Sequence, residues 1–240
     1  MRRLRRRNAP ANTGPRSARA ILARPASHRS RCEPAERPVL VDCQRVPHEV
    51  EALAGGVAVV DAIVAEGFEA GGHNGREETT TLCLLPLVRD VVNVPLLAAG
   101  GIGSGRAMLA AEALGADGVQ IGTRFAASLE SSAHENFKSK LVNLGEGETI
   151  LTMKQLTPVR LIKNKFYQRI AEAEKAGLSI DEVKKILGKG RAKQGIFEGD
   201  LDEGELEIGQ AASYVKGVKP ASEILMEIWE EYLVAKKSLT

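Results

Sequence analysis

Short apolar runs along this chain alternate with longer segments in which apolar residues recur at helical spacing. Three of the apolar runs end in a glycine-rich turn that leads into a helical pattern, and they cover residues 62–65, 95–99 and 118–121. Strands that alternate with helices in this way indicate βαβ units with parallel pairing. The sequence therefore predicts an α/β fold, and three such turns together are typical of the ligand-binding end of an α/β barrel.

The flanking segments contain signals for further elements. Residues 38–42 and 57–65 are predicted as strands, with residues 48–56 as a helix between them. Hydroxyl side chains at residues 79–81 and at Ser104 are placed to cap the helices that follow them.

After about residue 130 the pattern changes to helices and charged loops. Residues 159–176 are predicted as one amphipathic helix. The basic cluster 163–165 is expected on its solvent-exposed face, with contact to an anionic ligand as the alternative. Pro220 is placed as the first residue of a final helix. The apolar face of that helix holds Ile224, Leu225, Ile228 and Tyr232. We therefore expect residues 153–240 to form a mostly helical subdomain.

Length and composition fit a soluble unit the size of an enzyme. The chain has 240 residues, of which 43% are hydrophobic, so it can bury a sizeable core. No apolar run approaches the roughly 20 residues that cross a bilayer, so we expect no membrane segment. The three cysteines, Cys32, Cys43 and Cys83, lack the spacing of metal ligands, which favours reduced thiols in a cytoplasmic protein without a metal site.

The first 37 residues differ from the rest in charge, because they contain eleven Arg, no Lys and two acidic residues. Removing them from the 33 basic and 31 acidic residues of the whole chain leaves 22 and 29, a formal charge of −7 for residues 38–240. This acidic remainder argues against a nucleic-acid surface. The leader itself fits a transit segment or a nucleic-acid arm less well than a disordered segment, or one foreign to the fold, because four prolines interrupt it.

The glycines that follow two neighbouring strands are suited to a phosphate group. Converging backbone amides bind such a dianion, preferably at a helix N-terminus, and glycine lets the backbone approach it closely. Gly100 and Gly101 precede one helix, while Gly122 and Thr123 follow the next strand. We therefore expect a phosphate-bearing ligand here, which the Cβ branch of a Gly101→Val variant would displace.

His73 follows two glycines after the strand at residues 62–65, at the edge that carries function in such barrels. An imidazole accepts a proton near neutral pH, so His73 is a candidate general base, although a lone histidine is also common as a structural residue. Glu66 ends the same strand and is either a cofactor ligand or a charged rim residue. His134 lies at a helix start, and we interpret it as structural.

Three motifs together resemble the nitronate monooxygenase family, which also contains the flavin-dependent enoyl-acyl-carrier-protein reductases. They are Ala-Gly-Gly-His-Asn-Gly at residues 70–75, Ala-Ala-Gly-Gly-Ile at 98–102 and Gln-Ile-Gly-Thr-Arg-Phe at 120–125. Two later stretches are similar to the same family, so the resemblance covers about residues 57–236. It implies an FMN-dependent TIM barrel with parallel strands and a smaller, mostly helical domain at its C-terminal side.

The resemblance implies a role for each matching residue. His73 matches the family's active-site histidine, which takes a proton from the α-carbon of a nitroalkane. The FMN contacts match Gly71, Gly72, Gly100, Gly101, Gln120, Ile121, Gly122 and Thr123, and Glu66 matches a position near the flavin. The substrate, a nitroalkane or its nitronate, gives an electron to FMN, and O2 completes its conversion to a carbonyl compound and nitrite. The implied partners are that small molecule and O2, with no nucleic acid and no membrane, and a homodimer stays open.

The chain departs from the family ahead of Glu66, where only about one strand–helix unit precedes the strand instead of the first half of a barrel. We therefore expect an N-terminally truncated chain. Its expected regions are the leader at 1–37, the C-terminal half of an FMN-binding barrel at 38–152 and the helical subdomain at 153–240. Three functions stay open: a nitronate monooxygenase, an NAD(P)H-dependent enoyl-acyl-carrier-protein reductase, and an inactive fragment or half-barrel that works only when paired with another chain.

Overall fold

A computed structural model describes residues 20–23, 40–43 and 61–239, and it contains two sheets. The strands are β1 (Ala20–Ala23), β2 (Leu40–Cys43), β3 (Ala62–Glu66), β4 (Gly72–His73), β5 (Leu96–Ala99), β6 (Gly118–Ile121), β7 (Thr149–Thr152) and β8 (Val159–Ile162). The larger sheet has the strand order β1-β6-β5-β3-β2, and the smaller has the order β4-β8-β7.

The larger sheet is parallel except at β1. Strand β2 pairs with β3, β3 with β5 and β5 with β6 in parallel register, which places Ile63 opposite Leu96 and Leu97 opposite Gly118. The predicted α/β fold with parallel strands is therefore confirmed. Strand β1 pairs antiparallel with β6. Because β1 and β2 lie at the two edges, the described strands form an open sheet and not a closed barrel.

Seven α-helices accompany these strands in the described part of the chain. They are α1 (Thr81–Val91), α2 (Gly105–Ala113), α3 (Thr123–Ala126), α4 (Glu135–Val142), α5 (Lys165–Lys175), α6 (Ile180–Leu187) and α7 (Ala221–Ser238). As predicted, the Ser104 hydroxyl caps α2, because its oxygen accepts a hydrogen bond from the Ala107 amide. His134 has the structural position expected of it, since its Nδ1 accepts the Asn136 amide at the start of α4.

The main core lies between the larger sheet and helices α1, α2 and α7. Ile63 and Leu96 from the strands and Leu85 and Val88 from α1 are all buried in it. Apolar burial of this extent is the main favourable term in folding, so this layer holds the carboxyl ends of the strands in place.

Helix α7 packs closely on α2. A Cβ atom on Gly105 would lie 2.1 Å from the amide nitrogen of Tyr232 and 2.4 Å from the carbonyl oxygen of Ile228. The apolar face predicted for the last helix is confirmed, since Ile224, Ile228 and Tyr232 are buried there. Pro220 precedes this helix as its N-cap and is not its first residue.

The prediction of a single helix over residues 159–176 is wrong. The first part of that range is β8, which pairs antiparallel with both β4 and β7, and all four of its residues are buried. Helix α5 begins only at Lys165, after Asn164, whose Oδ1 accepts the Tyr167 amide. A central strand needs apolar residues on both faces, so a short apolar run in front of a helix is easily read as part of it. The predicted division between residues 152 and 153 falls between the paired strands β7 and β8.

Several predictions concern residues outside the described part of the chain. These are the helix at residues 48–56 and the leader at residues 1–37 apart from β1. Among the residues that the structure describes, no helix is both long and apolar enough to cross a membrane.

Candidate functional site

A cavity of about 310 Å³ opens at the carboxyl ends of β3, β5 and β6. Seven of the predicted site residues line it: Glu66, Gly71, Gly100, Gly101, Gln120, Gly122 and Thr123. They meet because the carboxyl ends of parallel strands lie at the same edge of a sheet. The other wall consists largely of apolar side chains from the C-terminal region, including Phe137, Ile196, Phe197 and Ile208.

Three predicted site residues do not line this cavity. Ile121 is buried in the core of the larger sheet. Gly72 is buried on β4 against Glu207, and His73 follows it as an exposed residue of the same strand. The side chain of His73 therefore lies beside the cavity and not in its lining.

The glycine turn after β5 requires its glycines. Gly100 and Gly101 have φ angles of +87° and +70°, a region in which side chains are disfavoured. A Cβ atom on Gly100 would also lie 2.5 Å from the carbonyl oxygen of Gly67. On Gly101 it would lie 3.2 Å from the Cβ atom of Glu69. A side chain on Gly101 would thus press on Glu69, and the loss of FMN expected for Gly101→Val stays a prediction.

The turn after β6 is open toward the cavity. A Cβ atom on Gly122 would have no protein atom within 4 Å, and the φ angle of −101° accepts any residue. Helix α3 begins at Thr123, and the first amides of a helix have no partner within the helix. The Thr123 hydroxyl oxygen accepts a hydrogen bond from the Gly209 amide over 3.2 Å, which ties this turn to the opposite wall.

The charged side chains among the lining residues are the carboxylates of Glu66 and Glu207. Glu66 is buried at the end of β3, and Glu207 lies in an extended segment after the π-helical turn at Lys193–Phe197. Burial raises the pKa of Glu207, and the positive charge of His73 opposes that rise. The nearby carboxyl Glu205 is also buried, and burial together with the charge of Glu207 raises its pKa to about 7.

The backbone around His73 is fixed by its neighbours. The Asn74 side-chain amide is buried and donates to the carbonyl oxygens of Ala70 and Gly72. In β8, the buried Arg160 donates from Nε and Nη2 to the Phe68 carbonyl oxygen. These bonds hold the turn between β3 and β4 in one shape, so the position of His73 is determined by the fold.

Glu69, Arg160 and Glu207 were not identified from the sequence as parts of the site. Burial lowers the pKa of Arg160, and the charges of Glu69 and Glu78 oppose this. For Glu207 the available signal was the alternation of carboxylates with the apolar residues Leu206 and Ile208, which is the pattern of an extended segment. The basic cluster at residues 163–165 also has another role, because Asn164 caps α5 and donates to the Leu201 and Gly204 carbonyl oxygens.

Residues 45–231 match the model of a protein family described as nitronate monooxygenase. A curated protein of Staphylococcus aureus (strain Newman), described as a probable nitronate monooxygenase, is 41% identical over 133 residues. That alignment covers 52% of this chain and 38% of the S. aureus protein. The chain therefore matches well under half of the length of this curated relative.

Solved structures show the same likeness over more of the chain. FabK from Thermotoga maritima aligns with a TM-score of 0.74 and 36% identity, covering 83% of this chain and 61% of FabK. Nitroalkane oxidase from Streptomyces ansochromogenes aligns with a TM-score of 0.67 and 31% identity, covering 84% of this chain and 59% of the oxidase. The enoyl reductase domain of MlnA from Bacillus amyloliquefaciens has a TM-score of 0.58 at 14% identity, and this shows a shared fold only.

Proposed function

This chain belongs to the nitronate monooxygenase family, and on that basis we propose that it is an FMN-dependent oxidoreductase that converts alkyl nitronates or nitroalkanes, with O2, to carbonyl compounds and nitrite. The observation that carries the proposal is the cavity at the ends of β3, β5 and β6. Residues from all three glycine-containing motifs meet in it, from Gly71 to Thr123. The likeness to a nitroalkane oxidase supports the same reaction class.

The cavity fits a phosphate-bearing group such as FMN. At Gly122 a ligand can approach the backbone without meeting a side chain, and the first amides of α3 at Thr123 are suited to donate to phosphate oxygens. Gly100 and Gly101 keep the neighbouring turn free of side chains. The apolar wall, which includes Phe137, fits the ring of a flavin. A bound FMN would supply the redox chemistry of the reaction.

The remaining lining residues orient the cofactor. Gln120 carries a side-chain amide that can both donate to and accept from the polar edge of the ring, and Glu66 can accept a hydrogen bond from it. Gly71 lines the cavity, and its lack of a side chain makes room for the backbone of Ile208 and Gly209, while Gly72 gives room to the Glu207 side chain. Ile121 acts from the core, where it fixes the end of β6.

His73 is the proposed general base for neutral nitroalkanes. Its imidazole accepts the proton of the substrate α-carbon, so that the C–H bond breaks, an N–H bond forms and the electron pair moves onto the nitro group. The nitronate that results is the species to be oxidised. A preformed nitronate does not need this step.

An enoyl-acyl-carrier-protein reductase that uses FMN and NAD(P)H is the second candidate. The TM-score of 0.74 with FabK favours this candidate, since the described residues follow that fold closely. The two carboxylates of the cavity, Glu66 and Glu207, favour it as well, because they repel an anionic nitronate more than an uncharged enoyl thioester.

The test begins with the visible absorbance of the purified protein. An oxidised flavin spectrum is expected, and a protein without flavin after reconstitution with FMN would count against both enzyme functions and favour an inactive fragment. With flavin bound, we expect O2 uptake and nitrite release with ethyl nitronate and nitroethane. Oxidation of NADH with a crotonyl thioester, without O2 uptake on either nitro compound, would instead identify the reductase.

A further inference from the structure

The edge of β8 brings His73 and Glu207 to neighbouring positions. His73 is the register partner of Val159, and Glu207 forms an antiparallel bridge with Leu161, two residues farther along the same strand. Side chains two residues apart on a strand lie on the same face, and so do their partners across the strand. The segment that contains Glu207 therefore continues the edge of the sheet ahead of Gly72, where β4 begins, and the Ile162 amide donates a hydrogen bond to the Leu206 carbonyl oxygen there.

Between these two residues stands Gly72, which has no side chain. A Cβ atom there would lie 2.8 Å from Oε2 of Glu207, so the carboxylate occupies the space beside the glycine. The φ angle of Gly72 is +79°, which favours glycine independently. The carboxylate of Glu207 is thus held between the cavity, which it lines, and the strand that carries His73.

We propose that Glu207 is a positioning residue for His73: its carboxylate pairs with the imidazole and holds the ring at the mouth of the cavity. This inference rests on the proposed function, in which His73 takes a proton from the substrate. When the imidazole becomes an imidazolium, the adjacent carboxylate stabilises the new charge. Glu207 also keeps the ring from turning outward, which matters because His73 is an exposed residue.

The other charged groups near Glu207 do not provide this pairing. Glu205 lies on the same segment and Glu66 lines the same cavity, and both carry carboxyl groups. The positive charge that lowers the pKa of Glu207, against the effect of burial, is that of His73. Among the described residues, the electrostatics therefore couple Glu207 to His73.

The first experiment needs no activity and no cofactor. The carboxyl group of Glu207 is titrated by ¹³C NMR in the wild-type protein and in His73→Asn, with the signal assigned through Glu207→Gln. Loss of the opposing positive charge is expected to raise the pKa of Glu207 further. An unchanged pKa in His73→Asn would overturn the pairing, whether or not the protein proves to be a nitronate monooxygenase.

The second experiment separates positioning from general damage in the flavin-loaded enzyme. In Glu207→Gln we expect kcat with nitroethane to fall by about tenfold or more, with kcat on preformed ethyl nitronate nearly unchanged, because only the neutral substrate needs the base. Glu207→Asp should recover part of the loss. The matched control is Glu205→Gln, which changes a buried carboxyl two residues away that does not line the cavity. This variant should leave kcat unchanged with both substrates. Equal losses on both substrates in a folded Glu207→Gln protein would reject the positioning role.

Discussion

The carboxylate of Glu69 closes the N-terminus of the helix that begins at Thr81. The Thr81 amide donates to Oε2 of Glu69 over 3.0 Å, and the Thr81 hydroxyl oxygen lies 2.9 Å from the same atom. Thr80, the N-cap residue by position, makes no capping bond with its own side chain. A negative charge at this end also complements the helix dipole. The turn after β3 is thereby fixed to α1, next to the glycines of the cavity.

Replacing Glu69 by alanine should therefore destabilise the protein by about 1–2 kcal/mol, the usual cost of losing a helix cap. The variant also loses a negative charge that faces the buried Arg160. Urea unfolding followed by circular dichroism measures the effect. Glu77→Ala is the control, since Glu77 is exposed in the same loop, and its unfolding free energy should stay within error of the wild type.

Gly122→Val should abolish retention of FMN while the fold persists. The new side chain would project into the open space of the cavity, and the φ angle of −101° imposes no strain on it. Flavin content per protein after reconstitution is the measurement. Gly217→Val serves as the control, because a Cβ atom there also meets nothing within 4 Å and Gly217 does not line the cavity. Normal flavin content in Gly122→Val would remove the proposed site.

The parallel part of the fold follows from local pattern. The apolar runs that became β3, β5 and β6 are each four or five residues long and are separated by helical periodicity, which leaves few alternatives to βαβ units. The apolar pattern gave a wrong prediction at β8, because only two residues separate this buried strand from α5. Over so few residues, apolar periodicity does not separate a strand from a helix, and the partner strands β4 and β7 decide the outcome.

The site residues could likewise be predicted only where the local sequence pattern determines their position. Gly101, Gln120 and Gly122 could be predicted because each lies in the last residues of a strand or just after it, and the ends of parallel strands converge. Glu207 could not, since it reaches the cavity through a bridge to Leu161 that no local motif encodes. The position of His73 beside the lining was likewise not predictable, because β4 leaves the larger sheet and pairs with β8.

Gly105→Ala should destabilise the contact between α2 and α7, although alanine is the better helix former. Its Cβ atom would lie 2.1 Å from the Tyr232 amide nitrogen, so one helix backbone must move. Overpacking of this kind costs about 1–3 kcal/mol, which a fall in the thermal midpoint would report. Gly217→Ala adds the same methyl group in open space and should leave the midpoint unchanged. A rise in the Gly105→Ala midpoint would mean that α7 shifts without cost.

The buried carboxyl of Glu205 should make stability depend on pH. Its pKa is raised from 4.5 to about 7 in the folded protein, so the folded state keeps a proton that the unfolded state has released. The stabilisation of the folded protein that depends on this proton is fully present below pH 4.5. It is lost as the pH rises through about 7. The shift corresponds to about 3 kcal/mol. As the pH rises across this range, the unfolding free energy of the wild type should therefore fall below that of Glu205→Gln. If the two free energies depend on pH in the same way, the pKa of Glu205 is not raised by burial.

The role of His73 is decided by comparing two substrates. His73→Asn keeps a polar side chain of similar length that takes up no proton near neutral pH, so the general-base contribution, on the order of 10²–10⁴ in rate, should vanish with nitroethane. With preformed ethyl nitronate there is no proton to remove, and the loss should be much smaller. Stopped-flow reduction of the bound flavin under anaerobic conditions measures both rates.

His134→Asn is the matched control for this last experiment. His134 accepts the Asn136 amide at the start of α4, and asparagine is itself a good N-cap residue, so neither rate should change. Equal losses on both substrates in His73→Asn would show that His73 binds or orients the substrate without abstracting a proton. If neither rate falls, the imidazole on β4 is a structural residue, and the base must come from the cavity lining, where Glu66 and Glu207 carry the carboxylates.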